Sequence, residues 1–259
     1  MYRQIFIACL LVATPSLLLA RNPPASDPQA LLYAAQALNA MTGGMSLNDV
    51  TLTGSVTWDG TDTGTATLQA LGTGESRIDV VFATGTRSDI RDAQTSLSLG
   101  QWRSPNNTSG KYASHNCWTD AVWFFPPLSS LGAGSNVVLT YVGQESRNGV
   151  AVQHIQSYVY QSDWPTGVTP TPQQLSTMDF FLDATTLLPL AITFNTHPDN
   201  DANTSLAVEV DFSNYQAFGS VAVPSRIKRY QQGNLFVDLT VSGASFNTGL
   251  QLSTFAIAQ

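Results

Sequence analysis

Residues 206–250, LAVEVDFSNYQAFGSVAVPSRIKRYQQGNLFVDLTVSGASFNTGL, alternate apolar and polar side chains with a period of two. Leu206, Val208, Val210 and Phe212 fall on one side, Ala207, Glu209, Asp211 and Ser213 on the other. The alternation returns in Leu235, Val237, Leu239 and Val241, set against Phe236, Asp238, Thr240 and Ser242. Successive side chains of a strand point to opposite faces, so each run predicts a strand that is apolar on one side. Gly219 and the pair Gly233-Asn234 mark the turns. The stretch contains neither His nor Cys. Its geometry is closely specified and its side-chain chemistry is sparse.

The same grammar extends upstream. Val50, Leu52, Val56 and Trp58 alternate with Thr51, Thr53, Ser55 and Thr57. Strand runs follow around TATLQAL, SRIDVVF, TRSDIRD and SLSLGQW, while residues 103–116 are polar and irregular. Two hairpins stand out further on. One turns at Asn148-Gly149, a dipeptide suited to a two-residue turn with positive φ, and the other turns between Asp183 and Pro189. One strong helix is expected, over 28–41: Ser26 or Asp27 can cap it, Pro28 suits its first turn, and Gly43-Gly44 stops it. Leu31, Leu32, Ala35, Leu38 and Met41 form its expected apolar stripe. CWTDAVWFFPPLSSL predicts a short central helix broken at Pro126-Pro127, and SDWPTGVTPTPQQ, at 162–174, reads as a loop insertion. Short links between about 9–11 strands imply antiparallel neighbours in one curved sheet, with both helices over its concave face.

Composition narrows the function. The chain has 259 residues, a net charge of −7 and 11% charged residues, with a pI near 4.7. That balance argues against a nucleic-acid partner. The only lysines are Lys111 and Lys228, too few for a polybasic membrane patch. Arg3 followed by IFIACLLVATPSLLLA reads as an export signal over 1–20, with a linker at 21–26 and a single domain at 27–259. Export implies a periplasmic or extracellular protein. It would also remove Cys9 and leave Cys117 without a disulfide partner.

The reactive side chains do not converge. His115, Cys117 and Asp120 lie close in sequence but not at a spacing that aligns a nucleophile with a base, and His115, His154 and His197 lack metal-ligand spacing. HPDNDAN has no central glycine or terminal glutamate for a calcium loop. No catalytic residue, metal or cofactor is therefore expected. What remains is the apolar face: Trp58, Ile78, Val80, Phe82, Leu139, Tyr141, Phe180, Leu182, Ile192, Phe194, Val208, Val210, Phe212, Val237 and Leu239 can share one side. That face is either a plain core or a pocket for an apolar ligand, and the pattern fits both.

The segments FFLDATTLLPLAITF (180–194) and VEVDFSNYQAFGSVAVPSRIKRYQQGNLFVDLTVSGASFN (208–247) resemble the LolA/LolB-like superfamily, above all its outer-membrane lipoprotein-sorting-like members. The resemblance covers roughly 27–255 and is densest over 176–250. It implies an unclosed antiparallel half-barrel whose concave face receives acyl chains. By that resemblance the protein is an exported, monomeric, non-enzymatic carrier of a lipid or lipid-modified protein, with an envelope protein as a further partner. Arg77, Arg87 and Arg103 do not align with the carrier's arginine at the cavity mouth. An envelope structural or sensory module with a filled core is the alternative, and a hydrolase is the third reading.

Overall fold

The computed structural model describes residues 24–92, 99–117, 122–132 and 134–257. The segment read as an export signal, with Cys9, lies outside the described residues, as does Asp120.

The strands are β1 (Asp49–Trp58), β2 (Asp62–Leu71), β3 (Ser76–Phe82), β4 (Gly85–Asp92), β5 (Leu99–Arg103), β6 (Ser109–Tyr112), β7 (Val137–Arg147), β8 (Val150–Val159), β9 (Met178–Asp183), β10 (Pro189–Thr196), β11 (Leu206–Phe218), β12 (Val221–Gln231) and β13 (Asn234–Phe246). They form one 13-stranded sheet in the order β6-β5-β4-β3-β2-β1-β13-β12-β11-β10-β9-β8-β7, and every pairing is antiparallel. The count exceeds the expected 9–11 partly because β6 lies in the stretch read as irregular. The edges, β6 and β7, do not pair with each other, so the sheet is an unclosed half-barrel.

Turn chemistry sets the register. Asn148 and Gly149 both have positive φ, at 51° and 79°, and close the β7–β8 hairpin as expected. The β12–β13 turn is Gln232-Gly233, one residue earlier than the glycine-asparagine pair suggests, since Gln231 pairs with Asn234. Gly54 lies where β1 and β13 shift register, and a Cβ there would stand 2.1 Å from the Thr240 carbonyl oxygen. Only glycine allows that approach.

The helix α1 (Pro28–Thr42) packs across the concave face, touching β7, β8 and β12. Asp27 caps it, its carboxylate accepting the Gln29 N–H at 2.7 Å, and Gly43 ends it with φ 60°. Ser26 instead accepts the Leu139 N–H, and the Asp27 N–H donates to the Leu139 carbonyl, so this segment covers the edge of β7. The buried face differs from the expected stripe. Ala30, Ala34, Ala37 and Met41 face the sheet, whereas Leu31 and Leu32 are 42% and 49% exposed. Alanines let the helix axis approach the sheet closely, a demand of packing that outweighs side-chain hydrophobicity.

The expected central helix is instead a plug of two 3-10 turns, Pro126–Leu128 and Ser130–Gly132, preceded by Trp123, Phe124 and Phe125. Two adjacent prolines supply no N–H donor, so an α-helix cannot continue through them. Phe124, Phe125 and Leu131 are fully buried, and Phe125 stacks on Phe246 at 6.0 Å between ring centroids. At the end of the insertion and running just past it, a one-turn helix, α2 (Pro172–Ser176), is fixed by a capping box between Thr171 and Gln174.

The C-terminal segment is tied down by one carboxylate. Asp49 accepts N–H bonds from Thr248 (2.9 Å), Gly249 (2.8 Å) and Leu250 (3.3 Å), and the Thr248 hydroxyl at 3.0 Å. Burial alone would raise its pKa, but these donors outweigh that and hold the carboxyl below the usual range. Its contribution is thus full above the unfolded pKa and is lost as pH falls through the depressed folded value. Asp49→Ala should cost about 2–3 kcal/mol at neutral pH and less at about pH 3, below the unfolded carboxyl's ordinary pKa. Urea unfolding at the two pH values measures both, and an equal cost at each would contradict the ionic anchor.

Candidate functional site

The site begins with the curl of the sheet. β6 and β10 are nine places apart in the strand order, roughly 43 Å across a flat sheet at about 4.8 Å per strand. Yet the segment after β6 hydrogen-bonds the segment after β10. The Asn116 Nδ2 donates to the His197 carbonyl at 2.6 Å, and its Oδ1 accepts the His197 N–H at 2.8 Å. The Asp199 carboxylate accepts the Ala113 N–H at 3.1 Å, and the His115 Nε2–H donates to the Pro198 carbonyl at 3.1 Å. Residues 113–116 and 197–199 therefore latch the two arms together over one end of the trough.

Beneath the latch lies a cavity of about 320 Å³. Its sheet wall follows from strand register. Phe82 pairs with Gly85, so Val80, Ile78 and Ser76 stand opposite Arg87, Asp89 and Arg91. The second, charged set of β4 therefore points inward. On the other arm Arg229 and Gln231 pair with Val210 and Val208, and they too point inward. A bulge in β13 leaves Phe236 as an extra residue between the partners of Tyr230 and Arg229. Phe236 consequently turns toward Trp58, with ring centroids 5.3 Å apart, while Leu235, expected on the apolar face, is exposed.

Each guanidinium in the cavity lies against an aromatic ring. The Arg87 guanidinium is 4.9 Å from the Trp58 centroid and that of Arg91 is 3.7 Å from Tyr112. Arg229 reaches both Trp123 of the plug (5.5 Å) and Phe236 (5.9 Å). Arg87 also forms a forked pair with Asp89, at 2.8 and 3.1 Å, and the Tyr112 hydroxyl donates to the same carboxylate. Burial alone would lower the Arg87 pKa, but Asp89 outweighs it and raises it. Gly100 makes room for this cluster: a Cβ there would meet the Cys117 Sγ at 2.9 Å and the Arg91 Cδ at 3.1 Å.

Most residues assigned to the apolar face lie elsewhere in the trough. Leu139, Phe180, Ile192, Phe194, Val208, Val210, Phe212, Val237, Leu239 and Val80 are buried in one continuous core with α1 and the plug, and Phe82 and Tyr141 pack partly buried against it. Trp58, with Ile78, lines the cavity. The inward arginines were missed, although the two-residue turn Ala83-Thr84 held the signal, because it fixes Arg87 opposite Val80. Arg77 points outward, where it bonds Asp79 and the Thr254 carbonyl.

Other candidates resolve into structural roles. The Cys117 thiol is buried and donates to the Ala113 carbonyl at 3.6 Å. His154 lies in the other arm, 2.8 Å from Asp179. Among the described residues no group of three or more His, Cys, Asp or Glu side chains could hold a metal ion. In the HPDNDAN loop Asp201 accepts the Asn203 N–H and the Thr204 hydroxyl, which is turn chemistry.

The convex face carries a second depression, of about 460 Å³, bordered by Asp179, Glu209, Asp211 and Tyr230. Burial first, then the Glu209 carboxylate, pushes the Asp211 carboxyl up to about 6, against the opposing pull of Arg147 and Lys228.

No family model matches the sequence, and no curated protein matches it. Solved structures do. A putative outer membrane lipoprotein-sorting protein domain from Vibrio parahaemolyticus is similar at TM-score 0.55 and 15% identity, covering 88% of this chain and 96% of that one. A LolA superfamily protein from Nitrosomonas europaea gives TM-score 0.53 at 10% identity, covering 88% and 97%. The chain has the fold of the LolA superfamily. A DUF1329 family protein from Desulfovibrio piger shares it, at TM-score 0.51 and 11% identity over 90% and 98%.

Two outcomes test the site's construction. Asn116→Ala removes both bonds to a buried backbone unit, so it should cost about 2–3 kcal/mol and speed amide exchange at His197. Unchanged exchange there would refute the latch. For Asp211, the folded carboxyl holds its proton to about pH 6 whereas the unfolded one releases it near 3.8. Wild-type stability should therefore fall as pH rises through that window, and Asp211→Asn should lose this slope. Parallel denaturation curves at pH 4 and 7 for both proteins would contradict it.

Proposed function

We propose that this is an exported, non-enzymatic binding protein that holds an acyl chain between the concave sheet face and its plug. One observation carries the reading. The largest apolar surface of the fold is sealed by a single helix with an alanine face and a short plug, both peripheral to the sheet ladder. A structural module would gain more from a second sheet or a longer helical cover. The lipoprotein-sorting name of a protein with the same fold supports a lipid or lipid-modified protein as the partner. The apolar stretch behind Arg3 supports export to the periplasm or the extracellular space.

The gross energetics of acyl burial set the scale. A chain of about 15 methylenes, at about 0.8 kcal/mol each, offers about 12 kcal/mol gross. Micromolar affinity needs about 8 kcal/mol, and ordering costs and cavity imperfections draw on the difference. In this reading Phe180, Ile192, Phe194, Val208, Val210, Phe212, Val237 and Leu239 meet the chain once the plug yields.

Native mass spectrometry of protein purified from its own envelope should show bound lipid, and the wild type should take up a fluorescent fatty-acid probe. Phe125→Ala should destabilise the unliganded protein by about 3–5 kcal/mol and recover part of that loss when the probe is added. A wild type with no co-purifying lipid and no probe uptake at saturating concentration rules the reading out in favour of a module with a permanently filled core.

A further inference from the structure

Beneath the latch the charged side chains are already engaged. Arg87 bonds Asp89, the Tyr112 hydroxyl donates to the same carboxylate, and Asp199 accepts the latch amides. Arg91 and Arg229 have partners too. An anion entering the cavity would have to break into these contacts and approach two carboxylates. The uncommitted groups are neutral. Ser76 points inward on β3 with Ile78 and Val80, lines the cavity and is 3% exposed. Its hydroxyl meets no hydrogen-bond partner among the described residues. The Gln231 side-chain amide lines the same cavity from the other arm and is equally unengaged there.

His197 discriminates further. It is 6% exposed. Its Nδ1 lies 2.9 Å from the Thr204 carbonyl, which can only accept, so the proton sits on Nδ1. In the neutral ring Nε2 is then an acceptor, and this buried atom has no hydrogen-bond partner among the described residues. A carboxylate only accepts and cannot satisfy it, whereas a hydroxyl both donates and accepts. The same property suits the Ser76 hydroxyl and the Gln231 amide. These groups come from β3, from β12 and from the latch, so a ligand that pairs with all of them needs more than one hydroxyl.

We propose that the latched cavity binds the neutral, polyhydroxyl head of a lipid of the glycerol monoester class, its hydroxyls bonded to Ser76, Gln231 and His197. A cavity of about 320 Å³ is small for a ligand pocket, the size of a head group rather than of a whole lipid. The tail leaves past Trp123, the first aromatic residue of the plug, which lines the same cavity. The head site follows from the cavity alone; only the path of the tail rests on the acyl-chain reading.

Calorimetric titration of the full chain tests this with 1-decanoylglycerol, methyl decanoate, decanoate and tailless glycerol, each lipid below its micellar concentration. The glycerol ester should bind at least tenfold tighter than methyl decanoate, which has the same tail and no hydroxyl, and at least threefold tighter than decanoate. Ser76→Ala should weaken the glycerol ester at least threefold and leave methyl decanoate unchanged. The ligand comparisons use the wild type alone, so they decide the matter even where the variant fails to fold. Equal binding of the glycerol ester and methyl decanoate overturns the head site while leaving the acyl-chain reading intact. Decanoate binding as tightly as the glycerol ester overturns the preference for a neutral head. Unchanged affinity in Ser76→Ala overturns the role of Ser76. If free glycerol binds as tightly as its decanoyl ester, the head site stands and the acyl-chain reading falls. Binding of none of the four overturns both.

Discussion

The structure depends on an antiparallel sheet that is apolar on one face and does not close. A closed barrel satisfies its edges and fills its interior from its own strands. Here β6 and β7 remain apart, so the apolar face must be covered by segments that are not strands. Each cover has a local cause: alanines that let α1 approach, two prolines that compress the plug into 3-10 turns, and a latch in which Asn116, Asp199 and His115 join the arms. The edge at β7 is covered by the segment leading into the helix, so a single stretch of chain both caps α1 and blunts the edge.

Much of the fold was legible because strand grammar is local. Val208, Val210 and Phe212 face inward as their alternation requires, and Glu209 and Asp211 lie on the other side. The helix 28–42 begins and ends where Asp27 and Gly43 place it. The failures are just as specific. Hydrophobicity alone puts Leu31 and Leu32 in the buried stripe, but interaxial distance selects Ala30, Ala34 and Ala37. Leu235 and Phe236 exchanged sides because a bulge cannot be seen in an alternating pattern. The segment 103–116 looked irregular because a four-residue strand is too short to establish a period.

The candidate site was the least legible part, for a physical reason. Its members come from β1, β3, β4, β6, β10, β11, β12 and β13, from the plug and from two loops some 80 residues apart in sequence, brought together by the curl of the sheet. A charged residue on an alternating strand is ordinarily read as facing solvent. Arg87, Asp89 and Arg91 invert that rule, and nothing within TRSDIRD reveals it; only the register with β3 does. Asn116 gave no signal at all, since a side-chain amide spanning two backbone groups is a tertiary event.

The inversion is itself informative. Guanidinium groups withdrawn from water incur a desolvation penalty, and well-packed apolar residues of similar volume are often equally or more stabilising. A trough built for stability alone would continue the Val, Ile and Phe of its central strands to both ends. This one changes character where the latch crosses it, exchanging aliphatic residues for arginines laid on Trp58, Tyr112, Trp123 and Phe236. The aromatic faces offset part of the desolvation. The result is an amphipathic trough, apolar along its length and charged at one end, with the plug residue Trp123 at the junction. The grading follows from register and curl together: the strand pairing of β3 with β4 turns the charged residues inward, and the latch brings the far arm over them.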